Sequence, residues 1–335
     1  MRVVVLGAGI IGLTAAVRLL EAGARVDVVA AGGPESTTSW LAAAVWYPTY
    51  VGPPADVARW GRATYEMLAR QAADGVPGVR MLESLALYRS HPEHVHWMDA
   101  VGPIRPASAA ELPPGYAHGL RFAVPLVEMP AHLPWLAGVV EQLGGRLRRQ
   151  QVRSLHALCA PDVDVLVNCT GLAARDLAGD SSVVPVRGQI VRVTNPGLTM
   201  SVRDEQHPLG RAYVHPRAAD CILGGTLDVG RWDTEPDPAV AESILRRCRD
   251  LVPELAAADV IEHVVGLRPG RPEVRLEESE PGPSGTRILH DYGHGGAGIT
   301  LAWGCAEDVL RLVLDRAWEA SGPGRAIGRV SRVAA

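Results

Sequence analysis

Four glycines, Gly293, Gly295, Gly296 and Gly298, fall within six positions of the segment HDYGHGGAGITLAWG at residues 290–304. Glycine inside an element costs about 0.5–1 kcal/mol relative to alanine, so the cluster points to unusual backbone angles or to a ligand lying against bare backbone. A tight turn is the plainer alternative. A second set, Gly7-Ala8-Gly9-Ile10-Ile11-Gly12, stands at the other end of the chain. There Gly7 permits a turn, Gly9 lets the backbone approach a pyrophosphate, and Gly12 packs a helix closely on a strand. The chemistry is the binding of a dinucleotide. The later cluster opens into a segment expected to be helical from about residue 300 to 318, whose N-terminus favours a group that becomes negatively charged. A reduced flavin fits the later site while its pyrophosphate fits the first. Nicotinamide would not need two such sites, so FAD is favoured over NAD.

The elements that must position these residues are legible as patterns. Residues 2–6 (RVVVL) read as a buried strand, 13–20 as an apolar helical segment and 24–30 (ARVDVVA) as a second strand, which is the context the first glycine set requires. Residues 134–143 look helical, 145–155 extended and 163–169 (VDVLVNC) like a buried strand; from 185 to about 276 the strands are longer and alternate, as at 187–193 and 221–227. The expected class is α/β. A Rossmann-like FAD-binding domain made of discontinuous segments (1–50, 135–188 and 280–335) would carry an α+β substrate-binding domain on a mainly antiparallel sheet (51–134 and 189–279).

Composition excludes several chemistries. All 33 basic residues are arginine, so no lysine is present to form a Schiff base, act as a nucleophile or hold phosphate in a Walker motif. A net charge of −4 gives no electrostatic case for nucleic acid. No apolar run reaches membrane-spanning length, and Arg18 with the following strand argues against a secretory signal. Cys159, Cys169, Cys221, Cys248 and Cys305 are odd in number without CxxC spacing, which fits buried free thiols better than disulfides or zinc. His91, His94 and His96 have metal-like spacing but no acidic or cysteine framework, and no metal site is expected. The arginines at 146, 148, 149 and 153 read as a solvated face.

Seven segments in order, GAGIIGL (7–13), TTSWLAAAVWYP (37–48), VNCTG (167–171), RGQI (187–190), AYVHP (212–216), GLRPGRPEVRLE (266–277) and HDYGHGGAGITLAWG, together resemble the D-amino-acid oxidase family across nearly the whole chain. The resemblance implies that Arg268 pairs with the substrate carboxylate, a task its planar, permanently charged fork suits. It implies that the Tyr213 hydroxyl joins it and that the Gly296 carbonyl accepts from the substrate amine. Arg271 and Arg275, in the same segment, read as ordinary ion pairs. For FAD it implies Gly7, Ala8, Gly9, Ile10, Ile11 and Gly12 at the pyrophosphate, and Thr37, Thr38 and Ser39 at phosphate and ribose. Val152 and Gly171 would flank the adenine side. Ala44, Val45, Gly298, Ile299 and Thr300 would lie at the flavin, and Gly266, Arg268 and Gly295 would also bind the cofactor. The implied reaction oxidises a neutral or apolar D-amino acid by hydride transfer to flavin, giving a 2-oxo acid, ammonia and, with dioxygen, hydrogen peroxide.

The chain departs from that pattern in places. Ala31 and Gly32 stand where an acidic residue should hold the ribose, with Glu35 a poorly placed substitute. Leu209 replaces the expected lid tyrosine, so a more open entrance and bulkier apolar side chains are expected. Leu227 occupies the position at which D-aspartate oxidases carry an arginine; Arg211 and Arg217 nearby keep D-aspartate oxidation open. A glycine- or sarcosine-type oxidase and a flavin-binding protein without turnover also stay open. The expected partners are a small D-amino acid and dioxygen, with a homodimer allowed for. The ending Val333-Ala334-Ala335 is not of the peroxisomal kind, and a cytoplasmic location is expected.

Overall fold

The computed structural model describes residues 1–48 and 51–321. Residues 2–30 form the strand Arg2–Leu6, the helix Ile10–Glu21 and the strand Arg25–Ala30, the two strands lying side by side and parallel. They sit inside a six-stranded sheet in the order Arg275–Ser279, Arg287–Tyr292, Val165–Asn168, Arg2–Leu6, Arg25–Ala30, Arg146–Arg149. Every pair is parallel except the first, where Arg275–Ser279 closes one edge antiparallel. Runs such as Val3–Val5 and Val165–Val167 are wholly or almost wholly buried, because a parallel sheet covered on both faces demands continuous apolar strands.

The second sheet has nine strands. From Asp228–Val229 it runs through Val184–Thr194, Asp220–Gly224, Ala212–Pro216, Met200–Asp204, Val79–Tyr88 and His118–Val127 to Arg105–Pro106, and Val260–Gly270 also pairs with Val184–Thr194. All its pairs are antiparallel except Val79–Tyr88 with Met200–Asp204. The class is thus α/β, a Rossmann-like sheet assembled from distant segments beside a mainly antiparallel one. Two strands sit differently from the sequence boundaries. Arg275–Ser279 belongs to the parallel sheet, where it pairs with Arg287–Tyr292, and Val184–Thr194 runs without a break through the boundary at 188.

Other differences have local causes. The helix expected from Pro134 begins at Met129, since Pro130 in its first turn gives up an N–H that needs no helical partner, and Pro134 lies one turn inside. The extended stretch expected over 145–155 ends at Arg149, and Leu155 starts a short 3₁₀ turn whose cap, Ser154, accepts from the His156 amide. In the segment after Leu41, Ala42 is extended and Ala44 has φ +52°.

The helix Gly298–Ser321 crosses two others. Thr14 Oγ1, on the helix Ile10–Glu21, donates to the Ala302 carbonyl at 3.3 Å. Against the helix Pro54–Ala73, Gly304 packs so closely that a methyl there would overlap the Trp60 backbone. Arg59 and the Trp60 indole both donate to Asp308, at 2.7–2.9 Å. These contacts fix the start of Gly298–Ser321 beside the first glycine set. Among the described residues, no helix is long and apolar enough to cross a membrane.

Candidate active site

A cavity of about 570 Å³ lies where the parallel strands end, and its lining comes from both sheets. Leu6, Ala30, Cys169 and Asp291 bring in the carboxyl ends of four parallel strands or the residues just beyond them; Ile190, Arg203, Tyr213, Val264 and Arg268 come from the second sheet. Ligands in open α/β sheets bind at this end.

One half of the cavity is made of bare backbone. Gly7 has φ +119°, and a side chain there would strike the Cys169 carbonyl. Ser39 Oγ accepts from the Ile10 amide at 3.1 Å, and Thr38 Oγ1 donates to the Leu267 carbonyl at 3.0 Å, so the segment 37–39 is tied both to the first helix and to the second sheet. Gly7, Ala8, Gly9, Ile10, Ile11, Thr37, Thr38, Ser39, Ala44, Val45, Val152, Gly171, Gly266, Arg268, Gly295, Gly298 and Ile299 all line the cavity. Two of the residues expected at the cofactor do not. Gly12 packs behind the wall on the Gly7 carbonyl, and Thr300 is buried, accepting from the Tyr47 amide at 3.1 Å. Ala31 and Gly32 line the far end with Gln150 and Gln151, while Glu35 is exposed and off the wall, so no carboxylate stands there.

The other half gathers Tyr213, Arg268 and Gly296. Arg268 Nη1 donates to the Thr226 carbonyl at 3.1 Å, and a methyl on Gly296 would stand 3.4 Å from Arg268 Cδ. The guanidinium rests on the bare backbone of Gly188, where a methyl would overlap it. Tyr213 is seated in the same way. It pairs across strands with Gly224, its ring fills the space a side chain at Gly224 or Gly225 would need, and its other face stacks on His215 at 4.7 Å. Burial raises the Tyr213 phenol above its ordinary pKa, opposed by the Arg268 charge, so it stays a donor. Burial, helped by Arg203, drives the His215 pKa well down and keeps that ring neutral.

Sequence reasoning passed over Gly188, Gly224, Gly225 and Arg203. The last is only 5% exposed, lines the cavity, and lies with Cζ 3.5 Å from the Tyr47 ring centroid. Its Nε and Nη1 have no hydrogen-bond partner among the described residues. Of the two arginines flanking Tyr213 in sequence, Arg211 lines the cavity beside Glu205 (3.4 Å), whereas Arg217 pairs with Asp220 off the wall. Arg271 and Arg275 also face away, bonded to Asp180 and Tyr292. Leu227 lines the cavity and Leu209 does not; it is 45% exposed. His290 bridges Asn168 and Ser279, while His294 Nε2 lies between Asp291 and Cys305.

These residues fit FAD. The cavity connects the two glycine segments, two helix N-termini meet at it, and its backbone cradle admits no side chain at Gly7, where a Cβ would strike the Cys169 carbonyl. Such a fold and cavity define a flavin-dependent oxidoreductase. The FAD dependent oxidoreductase family matches residues 2–312. The chain is 52% identical over 312 residues to the D-amino-acid oxidase of Rubrobacter xylanophilus, covering 93% of this chain and 95% of that one. It is 45% identical over 314 residues to the D-amino-acid oxidase of Streptomyces coelicolor, covering 92% and 96%. The crystal structure of glycine oxidase from Geobacillus kaustophilus has a TM-score of 0.77 at 20% identity, covering 94% of this chain and 95% of that one, a likeness of fold. The chain belongs to the FAD-dependent oxidoreductase family, and FAD is its cofactor.

Proposed function

We propose that this protein oxidatively deaminates D-amino acids, releasing a 2-oxo acid, ammonia and, with dioxygen as acceptor, hydrogen peroxide. The observation that carries the reading is the convergence of Arg268, Tyr213 and Gly296 on one end of the cavity that the two glycine segments open into. Bound FAD supplies the two-electron acceptor. The chain's own residues supply position: Arg268 takes the carboxylate, the protonated Tyr213 donates to it, and the Gly296 carbonyl accepts from the amine. Three fixed points leave one face of the α-carbon toward the cofactor, which selects D over L. No side-chain base is needed when the amine enters neutral.

In this reading the segments of the parallel sheet form the FAD-binding domain and those of the antiparallel sheet the substrate domain. Ile190, Leu227 and Val264 on the wall suit a neutral, apolar side chain. A second reading, oxidation of D-aspartate, is favoured by Arg203, a buried cation with free donors in the same cavity. Glu205 on that wall, paired with Arg211 at 3.4 Å, tempers the positive charge there. A cytoplasmic location and a homodimer accompany the proposal.

The test is peroxide release by the FAD-loaded protein with D-leucine, D-phenylalanine, D-serine, D-aspartate, glycine and L-alanine. Activity with D-leucine and D-phenylalanine and none with L-alanine is expected; no turnover of any D-amino acid would sink the proposal. D-Aspartate as the best substrate, lost in Arg203→Leu, would select the second reading. Arg268→Ala, which deletes one partner of a buried charged pair, should raise KM at least ~30-fold.

A further inference from the structure

Asp291, His294 and Cys305 meet at the base of the cavity. They come from the end of the strand Arg287–Tyr292, the glycine loop after it, and the second turn of the helix Gly298–Ser321. All three are buried, Asp291 and Cys305 completely. His294 Nε2 lies 3.2 Å from Asp291 Oδ1 and 3.5 Å from Cys305 Sγ, and the three ligand atoms are all within 4.8 Å of one another. Among the described residues, neither oxygen of Asp291 has a hydrogen-bond partner.

This arrangement is poorly served by protons. The thiol and the carboxylate address the same ring nitrogen, and that nitrogen cannot accept from one and donate to the other at once. For the same reason the cluster is not a nucleophile-and-base relay, which needs its two partners on opposite ring nitrogens. A carboxylate left buried without donors is costly. One cation at the common point would satisfy all three groups together.

The distances suit such an ion. Zinc bonds of about 2.0–2.1 Å to nitrogen and oxygen and about 2.3 Å to sulfur, arranged as a tetrahedron, set donor-to-donor edges of roughly 3.3–3.6 Å. The two edges at His294 measure 3.2 and 3.5 Å. A mixed nitrogen, oxygen and sulfur set also matches zinc better than calcium or magnesium, which take oxygen. Asp291 and His294 both line the cavity, which gives the ion an entry path.

We propose that Asp291, His294 and Cys305 form a binding site for one zinc-like divalent cation, a site separate in chemistry from the oxidation. Binding displaces the thiol proton, so one proton is released per ion bound by the carboxylate, neutral imidazole and thiol. The inference does not rest on the proposed oxidation, and its test is read without turnover.

FAD-loaded protein would be stripped with chelator, incubated with zinc sulfate, desalted and examined by elemental analysis and zinc X-ray absorption. One retained zinc per chain is expected, with a sulfur neighbour at about 2.3 Å and nitrogen or oxygen neighbours near 2.0 Å. Cys305→Ser should remove the sulfur signal and weaken retention at least ~10-fold. Asp291→Asn, nearly the same shape, gives a second reading of retention should the serine variant not fold. Absence of retained zinc overturns the proposal. So does zinc bound without sulfur and unchanged in either variant, which would place it on surface groups such as His91 and His94.

Discussion

Gly188→Ala tests the substrate clamp without touching a group that contacts substrate. The Arg268 guanidinium rests on Gly188, and the new methyl would overlap Cζ and both terminal nitrogens. These atoms end a flexible side chain, so the backbone can stay and the fork must give way, by roughly 1 Å to reach ordinary contact. Thr226, accepting from Nη1 at 3.1 Å, and the loop at Gly296 restrict where it can go. A displaced fork loses one of two charge-assisted bonds to the carboxylate, about 1.5–3 kcal/mol, or ~10–150-fold in kcat/KM. The assay is peroxide formation against D-leucine concentration, with FAD affinity and the unfolding midpoint measured alongside; only the kinetic constants should move. A double-mutant cycle sharpens it. In an Arg268→Ala background the added methyl has nothing to displace, so it should change kcat/KM by less than about twofold. Full kcat/KM in Gly188→Ala alone, or additive losses in the double variant, would refute the seat.

Ala31→Asp places a carboxylate at the end of the cavity proposed for the ribose, where none of the described residues supplies one; after desolvation it should tighten FAD binding by about 1 kcal/mol, ~5-fold, in fluorescence titration of the apoprotein, and unchanged affinity would count against the assignment of that end. The pH dependence of stability has a defined sign. Burial lowers His132 and His290 to about 4, against an ordinary value near 6.5. The unfolded chain therefore takes up protons between about 6.5 and 4 that the fold refuses, so stability is full above that window and falls as pH drops through it, approaching ~1.4 kcal/mol per pH unit for each histidine. Urea midpoints should show this, with a shallower slope in His132→Gln; an unchanged slope would remove His132 from the account.

The bare-backbone half of the cavity was legible because its signals are local. Gly7, Gly9 and Gly12 act within one strand–turn–helix, and the late cluster opens directly into the helix Gly298–Ser321. Thr300 misled for a related reason. It adjoins Gly298 and Ile299 in sequence, yet a helical turn aims its side chain back into protein, where it accepts from the Tyr47 amide. The parallel sheet's edge was harder to read, since Arg275–Ser279, with one apolar residue, carries no local sign of its sheet and joins it only through pairing with Arg287–Tyr292.

The supports of the substrate end were hidden because they are relations between distant strands. Gly188 matters through Arg268, some eighty residues later, and Gly224 through Tyr213, its partner across a ladder. In sequence one is a lone glycine inside a strand and the other opens a Gly-Gly pair at a strand end, features that elsewhere mark a bulge or a weak point. Arg203 was hidden by its neighbour. Followed by Asp204, it reads as an ordinary ion pair, yet alternation along Met200–Asp204 sends the two side chains to opposite faces. Asp204 turns toward Arg89 and Tyr116, and Arg203 into the cavity with donors unused. Leu227 and Arg203 therefore make opposite demands on the substrate's side chain from one wall. Which demand prevails depends on how far Glu205 offsets the guanidinium, so Glu205→Gln should move the enzyme toward acidic D-amino acids; a shift toward neutral ones would contradict that charge balance.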